Sequence, residues 1–353
     1  MPDDPRLAQL RLWLHSQRGF DPDSIEVVSA DASFRRYFRA RRDDGQWWVA
    51  MDAPPDKEDL ATYLRVSALL EGCGVHVPQI LAADTIQGYA LLEDLGNRHM
   101  LTALGEGDSA QLLYGLALDE LARLQLAGDE ASHALPPYDR ATLLREMQLL
   151  PDWYCVHHLG FEPDAGERDL LARTFDWLAA EALRQPLVLV HRDYHSRNLM
   201  VTTERPPGVI DFQDALRGPV GYDPASILKD CYIDWPRAQF ERWVQDYRAR
   251  LLAAGPAGAQ LAGSSPAEFL RWVDLIGLQR HLKVLGIFAR LYWRDGKTGY
   301  LGDLPRTLAY VREAARLLPE LAGFSRFVEE RLVPGLRAAN QRALAHAAAR
   351  ARG

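Results

Sequence analysis

The sequence predicts an α+β fold of two lobes, a small β-rich one over residues 1–94 and a larger helical one over residues 95–353. Three features predict it. Strand-like patterns and turn signals crowd into residues 25–94. Helical periodicity dominates from Leu95 onward. A single β-rich insert, residues 187–215, interrupts the helices. With 353 residues, 48% of them hydrophobic, the chain is long enough to bury the cores of two such lobes.

Taken in order, residues 4–18 carry Leu7, Leu10, Leu12 and Trp13 at near-helical spacing and predict a first helix. Strands follow from Ile25 to Val28, from Ser33 to Ala40 and from Gln46 to Met51. The last two are joined by the turn Asp43-Asp44-Gly45, and Pro54-Pro55 ends the third. Residues 57–71 read as a helix with Leu60, Leu64 and Leu69 inward. Val77-Pro78 introduces a strand pair that ends at Asp94. Helices are then expected over 108–127, 139–158, 165–184, 224–254, 266–291, 305–318 and 323–350, punctuated by Gly160 and Gly255-Pro256. The Ala- and Arg-rich stretch from Arg337 to Arg352 reads as a solvated terminal helix.

Composition excludes several classes of function. A net charge of −7 with 25% charged residues gives no reason to expect a nucleic-acid or membrane partner. No apolar run approaches the length of a membrane span, and Met1-Pro2-Asp3-Asp4-Pro5 lacks the apolar core of a signal peptide. The three cysteines, Cys73, Cys155 and Cys231, are odd in number and far apart. They read as buried thiols of a cytoplasmic protein, not as a disulfide frame or zinc site.

The chemistry concentrates in residues 187–215. An apolar run from Leu187 to Val190 delivers His191-Arg192-Asp193, Asn198 follows, and a second short run, Val209-Ile210, delivers Asp211. Two buried strands ending in carboxylates, with an amide between, suit phosphoryl transfer. Asp193 would orient the attacking hydroxyl, and Asn198 and Asp211 would hold Mg2+ against nucleotide phosphates. Any one of these residues alone is an ordinary turn residue; their joint spacing is what points to catalysis.

This segment resembles the catalytic segment of the bilobal protein-kinase-like fold. The pattern His-x-Asp-x-x-x-x-Asn stands as His191, Asp193 and Asn198, and the metal aspartate as Asp211 in Ile210-Asp211-Phe212. The order of elements, the absence of an activation segment after Asp211 and the stretch Gly221-Tyr222-Asp223-Pro224-Ala225 resemble the aminoglycoside phosphotransferase and choline-kinase branch. The stretches 33–39, 51–55, 191–200 and 210–215 are similar to those of the anomeric N-acetylmuramate/N-acetylglucosamine kinases of cell-wall recycling. The resemblance covers nearly the whole chain. It implies ATP and Mg2+ as cofactors, a small amino-sugar substrate phosphorylated at O1, and a monomer or weak homodimer.

The resemblance also implies roles along the chain. Ser33, Phe34 and Arg35 would lie over the phosphates, although this loop has no glycine. Glu93, Asp94 and Leu95 would form the hinge against the purine edge. The lysine that such kinases carry on the third strand is missing: Met51 or Asp52 stands there, so an arginine such as Arg35 or Arg39 would replace it. His195, Gln213 and Asp214 are candidate sugar partners. Arg217 and Lys229 are candidates for the lactyl carboxylate of muramate. Tyr232, Trp235, Tyr292 and Trp293 read either as sugar-stacking or as core aromatics. His191 is expected to pack under the loop and hydrogen-bond its backbone, and Asp223 to act as a helix N-cap. Two alternatives remain open at this point. One is an aminoglycoside or other amino-alcohol kinase of the same fold. The other is a nucleotide-binding pseudokinase acting as an interaction module.

Overall fold

The computed structural model describes residues 4–17, 19–30 and 34–350. In chain order, helix α1 (Pro5–Ser16) precedes strands β1 (Phe20–Ala30), β2 (Arg36–Arg42) and β3 (Trp47–Asp52). Helix α2 (Leu60–Gly72) and strands β4 (Ile80–Asp84) and β5 (Tyr89–Glu93) come next. Helices α3 (Met100–Gly105), α4 (Ala110–Ser132), α5 (Arg140–Met147) and α6 (Ala165–Ala182) lead to the insert. The insert holds β6 (Leu187–Val190), β7 (Leu199–Met200), β8 (Gly208–Val209) and β9 (Leu216–Pro219). Helices α7 (Tyr222–Leu228), α8 (Arg237–Ala253), α9 (Pro256–Leu261), α10 (Pro266–Trp293), α11 (Leu304–Leu317), α12 (Ala322–Phe327) and α13 (Leu336–Arg350) complete an α+β chain.

The chain divides into two compact units, Met1–Glu120 with Arg197–Asp214, and Leu121–Ser196 with Ala215–Gly353. The insert is therefore shared: β7 and β8 belong to the first unit, β6 and β9 to the second.

The first unit is built on a five-stranded antiparallel sheet in the order β1-β2-β3-β5-β4. Phe38 and Ala50 are paired across β2 and β3, and Ala50 and Leu91 across β3 and β5, so their side chains share a face. Leu10, Trp13 and Leu14 of α1 cover that face together with Ala40 and Tyr89. Helix α1 starts where it does because the Asp4 carboxylate accepts the Leu7 N–H (3.0 Å) and Pro5 follows at the first helical position. Burying a side chain such as Leu10 contributes about 1.5–3 kcal/mol. Helix α2, capped by Asp59 on Thr62 N–H (3.0 Å), brings Tyr63 against Phe212, ring centroids 4.9 Å apart. That contact seats the segment carrying Asp211. Gly208 opposite Leu95 allows β8 its position: a Cβ there would lie 2.7 Å from Leu95 Cδ1.

In the second unit, α10 runs 28 residues and is buried along most of its length from Val273 to Ala289. Gly286 lets it approach the main chain of Leu149, since a Cβ would meet that carbonyl oxygen at 2.3 Å. Strands β6 and β9 pair antiparallel, Leu189 opposite Arg217.

Several elements depart from the sequence expectation, each for a local reason. Strand β1 starts at Phe20, whose ring enters the core, and tolerates Pro22 because it is an edge strand. The helical pattern over 224–254 breaks into α7, which stops where Lys229 leaves the helical conformation (φ −119°, ψ 51°), and α8, whose start after Pro236 suits a residue that lacks an N–H. The pattern over 139–158 ends as α5 at Met147, and a wider π-helical stretch with Pro151 in its first turn runs from Leu150 to Leu159. The terminal pattern over 323–350 is interrupted around Pro334-Gly335.

Candidate active site

In the second unit, β6 ends at Val190 and the chain turns through His191, Arg192 and Asp193. Asp223, fully buried in the first turn of α7, accepts the backbone N–H of His191 (2.7 Å) and of Arg192 (3.1 Å). The N-cap of α7 is Gly221, so Asp223 serves this loop instead of its own helix. Burial pushes its carboxyl up to about 7, against the pull of the two backbone N–H groups. Arg192 takes the left-handed conformation (φ 75°), a cost of about 1–2 kcal/mol for a non-glycine residue. Its guanidinium is anchored on Glu146. His191 is buried and its Nδ1 lies 3.2 Å from the Asp193 N–H, the structural role read for it from the sequence.

Asp193 is held below the usual carboxylate range. Burial alone would raise it, but Lys283, His195, Arg192 and His191 together outweigh that effect. The side chain therefore stays ionised and ready to accept a hydrogen bond at neutral pH. Lys283 reaches this neighbourhood from α10 and is itself tied to Glu146 (3.0 Å) and to the Tyr222 hydroxyl (3.3 Å). Glu146 also takes the Tyr138 hydroxyl. One carboxylate thus fixes two cations beside the loop. Ser196 donates its N–H (2.9 Å) and hydroxyl to Asp230, which closes the loop on the far side.

His195 packs edge-on to Tyr232 (5.4 Å), and Tyr232 lies 6.4 Å from Phe288. Trp235 is set against the buried Trp243 (5.3 Å), and Tyr292 is buried. Of the four aromatics singled out in the sequence, Tyr232 is the one placed beside His195. Arg217 lies on β9 with its side chain partly buried. Lys229 is 3% exposed, its ammonium on Asp274 (3.2 Å) and Glu313 (3.1 Å) and over the Phe240 ring (4.5 Å).

In the first unit, Asn198 and Asp211 meet: the Asn198 amide donates to Asp211 Oδ2 (3.3 Å). Asp211 also sits in the left-handed region (φ 65°), which turns its carboxylate out of the strand line. Arg35, 6% exposed, donates to Asp211 Oδ1 (3.1 Å) and to Gln213 Oε1 (2.7 Å). Gln213 donates in turn to Asp211 Oδ1 (3.0 Å). Gln213 is thus placed against Asp211 and Arg35, while Asp214 is exposed. The donor set suits magnesium: one carboxylate and one amide oxygen, hard ligands that leave room for phosphate oxygens and water. Among the described residues there is no cluster of three His, Cys, Asp or Glu that would suit a metal held by protein alone.

Ser33 lies outside the described residues. Phe34 is exposed, and its N–H donates to Glu58 (2.9 Å). The Glu93 N–H is engaged by the Gln79 carbonyl (2.8 Å). Asp94 is bound by two of the Arg39 nitrogens, Nε and Nη2, the latter at 2.9 Å. Asp52 faces Arg6 and Arg36, and Met51 is buried, so neither offers a cation from β3.

Sequence reading missed Lys283, Glu146 and Glu58. Lys283 had one usable signal. It is one of only four lysines in the chain and stands in an apolar stretch, Leu282-Lys283-Val284-Leu285.

Residues 24–263 match the phosphotransferase enzyme family. The fold is that of solved kinase-like structures. A choline/ethanolamine kinase family protein from Mesorhizobium loti superposes with a TM-score of 0.59 at 13% identity, over 92% of this chain and 99% of that one. The GDP complex of aminoglycoside 2'-phosphotransferase-IIIa gives 0.58 at 17% identity, over 89% and 100%. This is therefore a phosphotransferase of the bilobal kinase-like class. Two relatives named N-acetylmuramate/N-acetylglucosamine kinase are much more similar in sequence. The one from Pseudomonas aeruginosa is 46% identical over 91% of this chain and 96% of its own length. The one from Neisseria meningitidis is 46% identical over 90% and 93%. The chain belongs, within the phosphotransferase enzyme family, to the family of these amino-sugar kinases. It is an enzyme, so the reading as a binding module without turnover falls. Among the described residues no helix is long and apolar enough to cross a membrane.

Proposed function

We propose that the protein transfers the γ-phosphoryl group of ATP, with Mg2+, to the anomeric hydroxyl of N-acetylmuramic acid and of N-acetylglucosamine. The observation that carries the substrate is the 46% identity, over nearly the whole chain, to relatives that bear those sugars in their name. The chemistry is supported by Asp193. Its carboxylate accepts a hydrogen bond from the sugar O1–H and aligns that oxygen with the γ-phosphorus. The transition state is loose, so alignment matters more than early proton removal. An anomeric hydroxyl is also more acidic than an ordinary alcohol, which eases the later transfer of its proton to Asp193.

Asn198 and Asp211 are the residues to hold magnesium, which neutralises charge on the phosphate oxygens when bound. Arg35 would face the phosphates, with Ser33 and Phe34 beside it. The backbone of Glu93, Asp94 and Leu95 would border the purine. Residues 1–94 form the β-rich nucleotide-binding lobe in this reading, and 95–353 the helical lobe with the catalytic loop and the sugar site. His195, with Tyr232 at its side, is the first sugar partner, and Arg217 is the cation left for a lactyl carboxylate once Lys229 is engaged by Asp274 and Glu313. We further infer a cytoplasmic monomer or weak homodimer, with its three cysteines free and buried.

Phosphorus NMR of a reaction with ATP, Mg2+ and N-acetylmuramic acid tests this reading. The expected product is a sugar 1-phosphate whose phosphorus couples to the anomeric proton. Phosphate on any other oxygen, or turnover with aminoglycosides or choline but not with the amino sugars, would overturn it.

A further inference from the structure

The cation that the third strand lacks is present elsewhere in the first unit. Arg35 stands just before β2 and is only 6% exposed. Its Nη2 is on Asp211 Oδ1 (3.1 Å), its Nη1 on Gln213 Oε1 (2.7 Å) and its Nε within 3.6 Å of Glu58 Oε2. Glu58 also accepts the Phe34 N–H (2.9 Å), so it grips the main chain and the guanidinium of adjacent residues. Gln213 bridges the other side, accepting from Arg35 and donating to Asp211 Oδ1 (3.0 Å).

Asp211 therefore already carries donors on both oxygens, with 29% of its side chain still exposed. Oδ1 accepts two donors and Oδ2 accepts the Asn198 amide (3.3 Å). A cation arriving at this carboxylate competes with these donors, and Arg35, itself positive and 3.1 Å from Oδ1, repels a divalent ion bound to the same carboxylate. An incoming nucleotide phosphate offers the guanidinium a replacement of matching geometry, since a planar fork suits phosphate as well as carboxylate. Glu58, 18% exposed and on the opposite nitrogen, can keep its hold throughout. The Asn198 side chain, turned by half a rotation, presents its oxygen where its amide now points.

We propose that Arg35, pinned by Glu58, is the phosphate-binding cation of the nucleotide site, and that it exchanges Asp211 for the nucleotide as the metal binds. Arg35 and Gln213 thus guard the metal carboxylate until metal and nucleotide arrive together, and the two ligands bind with positive coupling. This rests on the reading of the protein as a metal-dependent nucleotide enzyme.

The test measures binding, not turnover. Manganese is used as the probe metal and counted by electron paramagnetic resonance; ATP, with and without manganese, and adenosine are followed by calorimetry. In Arg35→Gln, ATP with manganese is expected to bind about tenfold or more weakly, the loss of a charge-assisted pair. Adenosine should stay within about twofold, and manganese alone should bind several-fold more tightly because its competitor is gone. A residue with a merely structural role would weaken all three. Glu58→Gln should lower ATP affinity by a smaller factor, again sparing adenosine. Should Arg35→Gln fail to fold, Arg35→Lys decides. Lysine keeps the charge but cannot hold Glu58, Gln213 and Asp211 at once, so the factor by which manganese improves ATP binding should fall. Unchanged ATP affinity in Arg35→Gln, weaker manganese binding there, or undiminished coupling in Arg35→Lys overturns the proposal. A wild-type protein that binds no nucleotide at all overturns the underlying functional reading with it.

Discussion

Asp223 takes the backbone N–H of His191 at 2.7 Å, from a carboxylate with no exposed surface. The loop carrying Asp193 is thus held through its main chain at this end, beside the side-chain anchors of Arg192 on Glu146 and Ser196 on Asp230. The bond ties α7 to the end of β6 within the second unit, and Arg192 N–H shares the same carboxylate.

The first prediction concerns pH. Burial raises the Asp223 carboxyl from its ordinary 3.8 to about 7, so the folded protein binds this proton more tightly than the unfolded chain. Stability from this group is complete below about pH 4 and is lost as pH rises toward 7, by an amount on the order of 4 kcal/mol. Asp223→Asn does not titrate. Its penalty in urea unfolding should therefore be largest near pH 4 and shrink between pH 4 and 7. A penalty that grows with pH over that range would show that Asp223 is ionised throughout.

The second concerns Lys283. It is the foremost of the cations that counter burial at Asp193, so Lys283→Met should raise the Asp193 carboxyl. The acid limb of kcat/KM against pH should move to higher pH, because Asp193 must be ionised to accept the acceptor hydroxyl. Glu146 keeps Arg192 and Tyr138 as partners, so the variant should still fold. An unmoved acid limb with a lowered plateau would assign Lys283 to some other step.

Asp193 and Asp211 should separate kinetically. Asp193→Asn should lose about 100- to 10,000-fold in kcat with ATP affinity nearly unchanged, since the residue meets the acceptor. Asp211→Ala should lose both turnover and metal-dependent ATP binding. Calorimetric titration of ATP beside steady-state rates distinguishes them. Near-normal kcat in Asp193→Asn would remove Asp193 from the reaction.

What the sequence made legible was local. Asp193, Asn198 and Asp211 stand within 19 residues, the two aspartates at the ends of apolar runs and the asparagine between them, and their spacing is itself the signal. The order of strands and helices was likewise readable from period, turns and prolines, apart from the gap between α7 and α8 and the π-helical stretch from Leu150, where the apolar periodicity continues across a change of backbone conformation. What was not legible is contact across long separations. Glu146 meets Arg192 from 46 residues away, and Arg35 meets Asp211 from 176. Gln213 and Lys229 show the same blindness from the other side. Each was a sound candidate by residue type, but nothing in the chain tells whether an amide or an ammonium will turn to a ligand or to a neighbour.

The last prediction follows from Lys229. Its ammonium lies between Asp274 and Glu313, and the rings of Phe240 (4.5 Å) and Tyr310 (5.9 Å) cover it. Removing one partner of a buried pair strands the other charge and typically costs 3–5 kcal/mol. Here Arg237 also holds Asp274, through two bonds of 2.6 Å, and Glu313 is 36% exposed, so both carboxylates keep some compensation. Lys229→Met should therefore cost about 2 kcal/mol or less, a few degrees of Tm for a unit of this size. Because the ammonium faces protein carboxylates, KM for N-acetylmuramic acid should not change. Comparison with N-acetylglucosamine, which lacks the lactyl group, sharpens the test. A KM raised for the muramic sugar alone, at unaltered Tm, would return Lys229 to the substrate and take that place from Arg217.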